Sequence, residues 1–132
     1  MTRRTLVTTL ATLAAEAAAS GAPATDPAHP IQVHVDTSVD PAKEREMLRH
    51  FEQYFKPAAA KFPGYMDVKI VKLRSAFQGK PPAGLNYRFI LTYQNEQLRQ
   101  KWIASDIHQK VWGMIESMMR NKDYAVLLFD VV

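Results

Sequence analysis

The residues with the clearest potential for chemistry are a histidine and two tryptophans in the last third of the chain. His108 follows Ser105 by three residues, and a serine in that position typically caps a helix, so the imidazole is predicted in a first helical turn. The helix dipole there favours the neutral ring, which can take a proton from a bound molecule. Trp102 and Trp112 can form the walls of a pocket for a flat aromatic molecule. The alternative is a capping histidine with two tryptophans in the core.

Four further side chains are candidates for lining this pocket. Tyr54 adds aromatic surface, and Asn86 and Arg88 alternate with the apolar positions of a predicted strand. Arg88 can hold an anionic group or pair with an acid across a dimer. His34 shares one strand face with Asp36, but no third ligand can be named for a metal. The sequence therefore predicts neither a metal site nor a required cofactor.

The composition indicates one globular domain and excludes several classes of function. The chain has 132 residues, of which 47% are hydrophobic and 23% are charged. It contains no cysteine, which excludes disulfides, thiolate metal sites and cysteine nucleophiles. A net charge of +4 is too small to indicate a nucleic-acid partner. The short motifs of nucleotide-binding proteins, serine hydrolases and zinc proteases are absent from the sequence.

Residues 1–24 differ from the rest and resemble an export signal. The pair Arg3-Arg4 precedes a mildly apolar stretch rich in alanine and threonine, and it resembles the twin-arginine motif. We expect an exported protein, periplasmic or extracellular, whose folded domain occupies residues 25–132. The stretch is too short to span a membrane stably. A disordered or helical extension and a mitochondrial leader are the alternatives.

The remaining pattern predicts the order βαββαβ. Period-two alternation or apolar runs indicate strands at 31–36, 65–74, 85–93 and 124–132. A helix begins after Asp40 and is expected to kink or break before Pro57, while Asn95 and Ser105 are predicted to cap two later helices. The glycine- and proline-containing segment 75–84 is predicted to be a long loop that could act as a lid.

This order is that of an α+β, ferredoxin-like fold, in which a four-stranded antiparallel sheet carries its helices on one face. The other face of the sheet is then uncovered. Because the last strand is apolar on both sides, we expect that face to meet a second copy of the chain. The predicted assembly is a homodimer.

Three segments resemble a known superfamily: FPGY at 62–65, FILTY at 89–93 and WIASDIH at 102–108. Over residues 31–132 the chain resembles the dimeric α/β-barrel proteins, and among them the antibiotic biosynthesis monooxygenase-like domain. The resemblance implies a dimeric α/β barrel. Members include cofactor-independent oxygenases of phenols and quinols, and enzymes that degrade haem.

The match to the haem-degrading members is partial. Trp102 and the pair Ser105-Asp106 fit their motif, but Trp112 stands where those members carry a histidine. His108 instead resembles the histidine that many monooxygenase-like members carry after the start of this helix. The resemblance thus implies an oxygenase-like protein for a small aromatic or quinol-type molecule, with His108 as its base. The alternatives are a non-catalytic binding protein for haem or a hydrophobic metabolite, and a structural dimer.

Overall fold

The computed structural model describes residues 29–132, so the predicted leader at 1–24 lies outside the described residues and stays a prediction. Four strands occur, in chain order β1 Ile31–Thr37, β2 Tyr65–Lys72, β3 Tyr87–Tyr93 and β4 Ala125–Asp130. The helical elements are a 3₁₀ turn at Pro41–Lys43, α1 Glu44–His50, a π-helical segment at Phe51–Phe55, α2 Lys56–Ala60, α3 Glu96–Ala104 and α4 Asp106–Glu116.

The strands form one antiparallel sheet in the order β2-β3-β1-β4. Helices connect β1 to β2 and β3 to β4. Together with the strand order, these connections define the ferredoxin-like α+β fold that the sequence predicts. β1 is central, and Val33 pairs with Leu91 on one side and with Leu128 on the other. β4 is an edge strand.

The first helical region changes its geometry where proline requires it. Asp40 caps it by accepting a hydrogen bond from the backbone N–H of Ala42 at 3.0 Å, with Pro41 in the first turn. Pro57 has no N–H and its ring would crowd the carbonyl four residues earlier, so the turn before it widens into the π-helical segment. The predicted break is therefore a change of helical type within a continuous path.

The core lies between one face of the sheet and the helices. Phe51 and Phe55 project from the π-helical segment and are 1% exposed, and their rings lie 5.8 and 6.3 Å from that of Phe89 on β3. Burying each such side chain contributes about 1.5–3 kcal/mol. This aromatic cluster fixes how far the helices stand from the sheet, and it also borders the site described below.

Three apolar side chains on these strands and helices are exposed rather than part of the core. Ile107 and Met114 are 42% and 49% exposed because α4 turns His108, Val111 and Ile115 towards the core. Met66 is 50% exposed because it is the extra residue of a β-bulge between Tyr65 and Asp67. A bulge shifts the alternation by one residue, which period-two analysis does not detect.

The loop between β2 and β3 is tied to the body of the domain by side chains. Asn86 donates from Nδ2 to the Val39 carbonyl and accepts from the Val39 N–H, both at 2.8 Å. Arg120 donates to Ser38 Oγ at 2.8 Å and to the Gly84 carbonyl at 3.2 Å. These bonds hold the base of the loop in place at the end of β1.

Glycine substitutions test the packing of the turn before β2. Gly64 has φ +93° and an added Cβ would lie 2.6 Å from Leu98 Cβ, so Gly64→Ala should destabilise by more than about 1 kcal/mol. Gly79 also has a positive φ, but an added Cβ would meet no described atom within 4 Å, so Gly79→Ala should lower the free energy of unfolding by less. Gly113→Ala, in α4, should stabilise by about 0.5–1 kcal/mol. Urea midpoints measure all three, and equal losses for Gly64→Ala and Gly79→Ala would contradict the contact with Leu98.

Candidate functional site

A cavity of about 350 Å³ lies between the helix-facing side of the sheet and the helices α3 and α4. Its size is that of a small-molecule pocket. Val33 and Leu91 form part of its floor, and its walls are mostly aromatic. We call it the aromatic cavity; its aromatic and polar lining residues are Phe55, Trp102, Trp112, Tyr124, Arg99, His108, Gln109 and Glu116.

The junction of α3 and α4 positions two of these residues through one hydroxyl. Ser105 Oγ donates to the Trp102 carbonyl at 2.6 Å and accepts from the His108 N–H at 3.2 Å. The same serine therefore ends α3 and caps α4, as the sequence predicts. The Trp102 and His108 rings meet edge to face with their centroids 5.0 Å apart. Trp102 is fully buried and its Nε1 has no hydrogen-bond partner among the described residues.

His108 is buried in the wall of the cavity and is held in the neutral form. Burial lowers its pKa below the ordinary value of 6.5, and the positive charge of Arg99 acts in the same direction. The Ile103 carbonyl and the Glu116 carboxylate raise this pKa, but by less. His108 Nδ1 has no hydrogen-bond partner within residues 29–132. An unpaired ring nitrogen in a neutral imidazole can accept or donate a proton to a bound molecule.

A short hydrogen-bonded chain runs along another wall. The Tyr124 hydroxyl donates to Glu116 Oε2 at 2.5 Å, and Trp112 Nε1 donates to the Tyr124 oxygen at 3.2 Å. Burial raises the pKa of Tyr124 and the hydrogen bond to Glu116 adds to this, so the phenol stays protonated. The Trp112 ring lies nearly parallel to that of His108, with 14° between planes and 6.5 Å between centroids.

Sequence reasoning identified His108, Trp102 and Trp112 but missed Glu116 and Tyr124. The signal for Glu116 was available, because positions 108, 112 and 116 share one helix face at a spacing of four. Tyr124 comes from the segment before β4, so only the fold brings its hydroxyl to Glu116.

Two predicted pocket residues lie elsewhere. Tyr54 is 58% exposed and lines a surface groove beside Ile107 and Val111. The Asn86 side-chain amide makes both of its hydrogen bonds to the backbone of Val39. It therefore fixes the backbone after β1 and does not line the aromatic cavity.

His34 and Arg88 lie on the opposite, uncovered face of the sheet. The Arg88 guanidinium donates two hydrogen bonds to the Asp36 carboxylate, from Nε to Oδ1 at 2.5 Å and from Nη2 to Oδ2 at 3.0 Å. His34 Nε2 lies 2.6 Å from Gln32 Oε1, and burial lowers the His34 pKa. Across residues 29–132 there is no group of three or more histidine or acidic side chains placed to hold a metal.

No helix in the described part of the chain is both long and apolar enough to cross a membrane.

No family model and no curated protein matches this chain. Solved structures do, and antibiotic biosynthesis monooxygenase-like proteins are among them. SnoaB, a cofactor-independent oxygenase from Streptomyces nogalater, is 14% identical with a TM-score of 0.59, covering 79% of this chain and 93% of its own.

Two other neighbours share the fold. A dimeric ferredoxin-like protein of unknown function from Jannaschia sp. is 16% identical, with a TM-score of 0.63 over 78% of this chain and 98% of its own. A hydroxynitrile lyase from Passiflora edulis is 8% identical, with a TM-score of 0.65 over 80% and 96%. At these identities the likeness shows the fold and leaves the chemistry to the site. The chain therefore has the ferredoxin-like α+β fold that these proteins share.

Proposed function

We propose that the protein is a cofactor-independent oxygenase-like enzyme that acts on a small phenol or quinol-type molecule in the aromatic cavity. The observation that carries this proposal is the neutral, buried His108, with an unpaired Nδ1, between the rings of Trp102 and Trp112. The flat walls suit an aromatic ring, and the imidazole suits its hydroxyl group. The similarity in fold to SnoaB supports the same class of reaction.

His108 supplies the proton transfer that such a reaction needs. The imidazole takes the proton of the phenol, and the resulting phenolate is electron-rich enough to reduce dioxygen without a cofactor. The ring carbon para to the hydroxyl then loses its hydrogen and gains one oxygen atom, and the other oxygen atom leaves as water. Phenol and O₂ thus give a quinone and water, with dioxygen as the oxidant.

A second candidate is non-catalytic binding of haem or a hydrophobic metabolite in the same cavity. Trp102 Nε1 and His108 Nδ1, which have no hydrogen-bond partner in the described residues, favour binding as much as catalysis, because polar atoms can recognise a ligand without converting it. If haem is the ligand, its addition should give a shifted Soret band that is lost in His108→Ala. An unshifted spectrum would eliminate haem.

The first prediction concerns the base. His108→Gln should lower kcat/KM for oxygen-consuming turnover of a phenol with a free para position by about a hundredfold or more, because general-base catalysis contributes on that scale. The readouts are oxygen uptake and transfer of label from ¹⁸O₂ into the quinone. The matched control is His29→Gln, at a histidine near Asp130 and outside the cavity lining, which should leave the rate unchanged. Equal rates in both variants, or no oxygen uptake by the unmodified protein with any of a panel of phenols, would contradict the proposal.

The second prediction concerns pH. The active imidazole is neutral and its pKa is lowered, so kcat/KM should fall on the acid side with a midpoint below 6.5. The Glu116 carboxylate raises this pKa, so Glu116→Gln should move the midpoint to still lower pH while keeping an acceptor for Tyr124. A midpoint at or above 6.5, or an upward shift in Glu116→Gln, would show that His108 is not the titrating base.

We also propose that the uncovered face of the sheet and the edge strand β4 form a homodimer interface. Leu127 and Phe129 on β4 are 45% and 47% exposed, and the Phe129 ring packs on His34. An exposed apolar edge strand invites pairing with another chain. The dimeric neighbour from Jannaschia sp. supports this arrangement.

The dimer is tested by placing a charge on that face. Sedimentation equilibrium at micromolar concentration should give twice the chain mass for the unmodified protein and the single mass for Phe129→Asp. Met114→Asp is the control, since Met114 is similarly exposed but lies on α4, on the other side of the sheet. A monomer before substitution would overturn this interface and leave the cavity proposal standing.

A further inference from the structure

We propose that the end of the aromatic cavity at Glu116 binds an ammonium group, so that the ligand of this cavity is a phenol with a short aminoalkyl arm. The inference rests on the proposed phenol site and adds the chemical class of a second substituent. Among the described residues that line the cavity, Glu116 is the one acid and Arg99 carries the one permanent positive charge. The two residues belong to different helices, α4 and α3, so each charge lies on its own wall.

The positive charge in the wall is compensated, and the negative charge is not. Arg99 donates two hydrogen bonds to the Glu96 carboxylate, from Nε at 2.6 Å and from Nη2 at 2.7 Å. Glu116 forms no ion pair with any of residues 29–132. Its Oε2 accepts from the Tyr124 hydroxyl, and no described residue donates to its Oε1. One cation and two acids leave a net charge of −1 around the cavity, which favours a cationic ligand over an anionic one.

The position of Glu116 in its helix is a second, independent indication. Glu116 is the last residue of α4, at the end where the helix dipole is negative and favours a cation. The last turn of α4 contains no basic residue. The carboxylate therefore adds to the negative potential of the helix end instead of offsetting it. An ammonium group on a ligand supplies the positive charge that this end of the described structure lacks.

The aromatic rings beside Glu116 suit the same group. Trp112 and Tyr124 meet edge to face, with 81° between planes and 5.7 Å between centroids, and the Phe55 ring lies 6.0 Å from that of Trp112. The bonds from Trp112 Nε1 to the Tyr124 oxygen and from Tyr124 to Glu116 bring these rings and the carboxylate to one wall. Aromatic faces attract cations within about 6 Å of their centres, and aromatic cages recognise alkylammonium groups in this way.

The spacing along α4 allows one small molecule to reach both ends of the cavity. His108 and Glu116 are eight residues apart and line the same cavity, and the helix rises about 12 Å over that interval. A hydrogen bond at each end takes up about 2.9 Å, and the remainder fits one benzene ring with an arm of two or three atoms. The phenol oxygen then lies at His108 Nδ1 and the ammonium at Glu116 Oε1.

The test compares the binding of three meta-substituted phenols to the protein at pH 8 in the absence of oxygen. 3-(2-Aminoethyl)phenol carries an ammonium group, 3-propylphenol is its neutral isostere, and 3-hydroxyphenylacetate is an anion. The Kd, measured from shifts of the two indole N–H signals in NMR spectra, should be about tenfold lower for the ammonium compound than for the isostere. The acetate should bind most weakly, and added salt should reduce the preference for the ammonium compound.

A conservative variant assigns the preference to Glu116. Glu116→Gln removes the charge and keeps an acceptor for the Tyr124 hydroxyl. The ratio of the Kd of 3-propylphenol to that of the ammonium compound should fall from about ten to about one in this variant, because the charge-assisted contact is lost. The matched control is Glu46→Gln, at an exposed position on α1 outside the cavity lining, and it should keep the ratio near ten.

Three results would overturn this inference and leave the oxygenase proposal standing. These are equal binding of the ammonium compound and its isostere, a preference that survives in Glu116→Gln, and tightest binding of the acetate. Binding of none of the three compounds would overturn the phenol site together with the ammonium site. None of these measurements involves turnover, so failure here and failure of oxygen uptake are distinguishable.

Discussion

The two hydrogen bonds of Ser105 are the interaction on which the site depends. One hydroxyl closes α3 at the Trp102 carbonyl and opens α4 at the His108 N–H, so both rings take their positions from the same atom. Loss of this cap would destabilise the turn that brings the tryptophan and the histidine into contact by about 0.5–2 kcal/mol. The aromatic core around Phe55 then sets how closely the junction of α3 and α4 approaches the sheet. The centroid of the Phe55 ring lies 6.0 Å from that of Trp102. The cavity is the space that remains.

The pKa of His108 is set by its burial and by two nearby charges of opposite sign. Burial and Arg99 keep the pKa of His108 low, while Glu116 acts against them from the opposite end of α4. Arg99 is itself held by Glu96 through two bonds of 2.6 and 2.7 Å, so its charge is fixed and partly neutralised. The result is a neutral imidazole among aromatic rings with a few polar groups at the edges, a setting in which electrostatic interactions with a ligand are stronger than in water.

Much of the fold follows from local patterns, and much of the site does not. The strand alternation of β1 and β3, the caps Asn95 and Ser105 and the effect of Pro57 are all local, so the sequence predicts them. Asn86 has the chemistry of a pocket residue, and only the tertiary structure shows that its amide bridges a neighbouring loop. Tyr124 reaches Glu116 across the turn between α4 and β4, which spacing cannot reveal. Exposure along β4 depends on the sheet order, in which it is an edge.

The most direct test of the central claim is a crystal structure of the protein with a bound phenol. We expect the phenol ring inside the aromatic cavity beside Trp112, with its oxygen within about 2.6–3.2 Å of His108 Nδ1, the distance that proton transfer requires. A phenol bound in the surface groove beside Tyr54, or a cavity closed by a shift of Trp112 with no ligand inside, would contradict it.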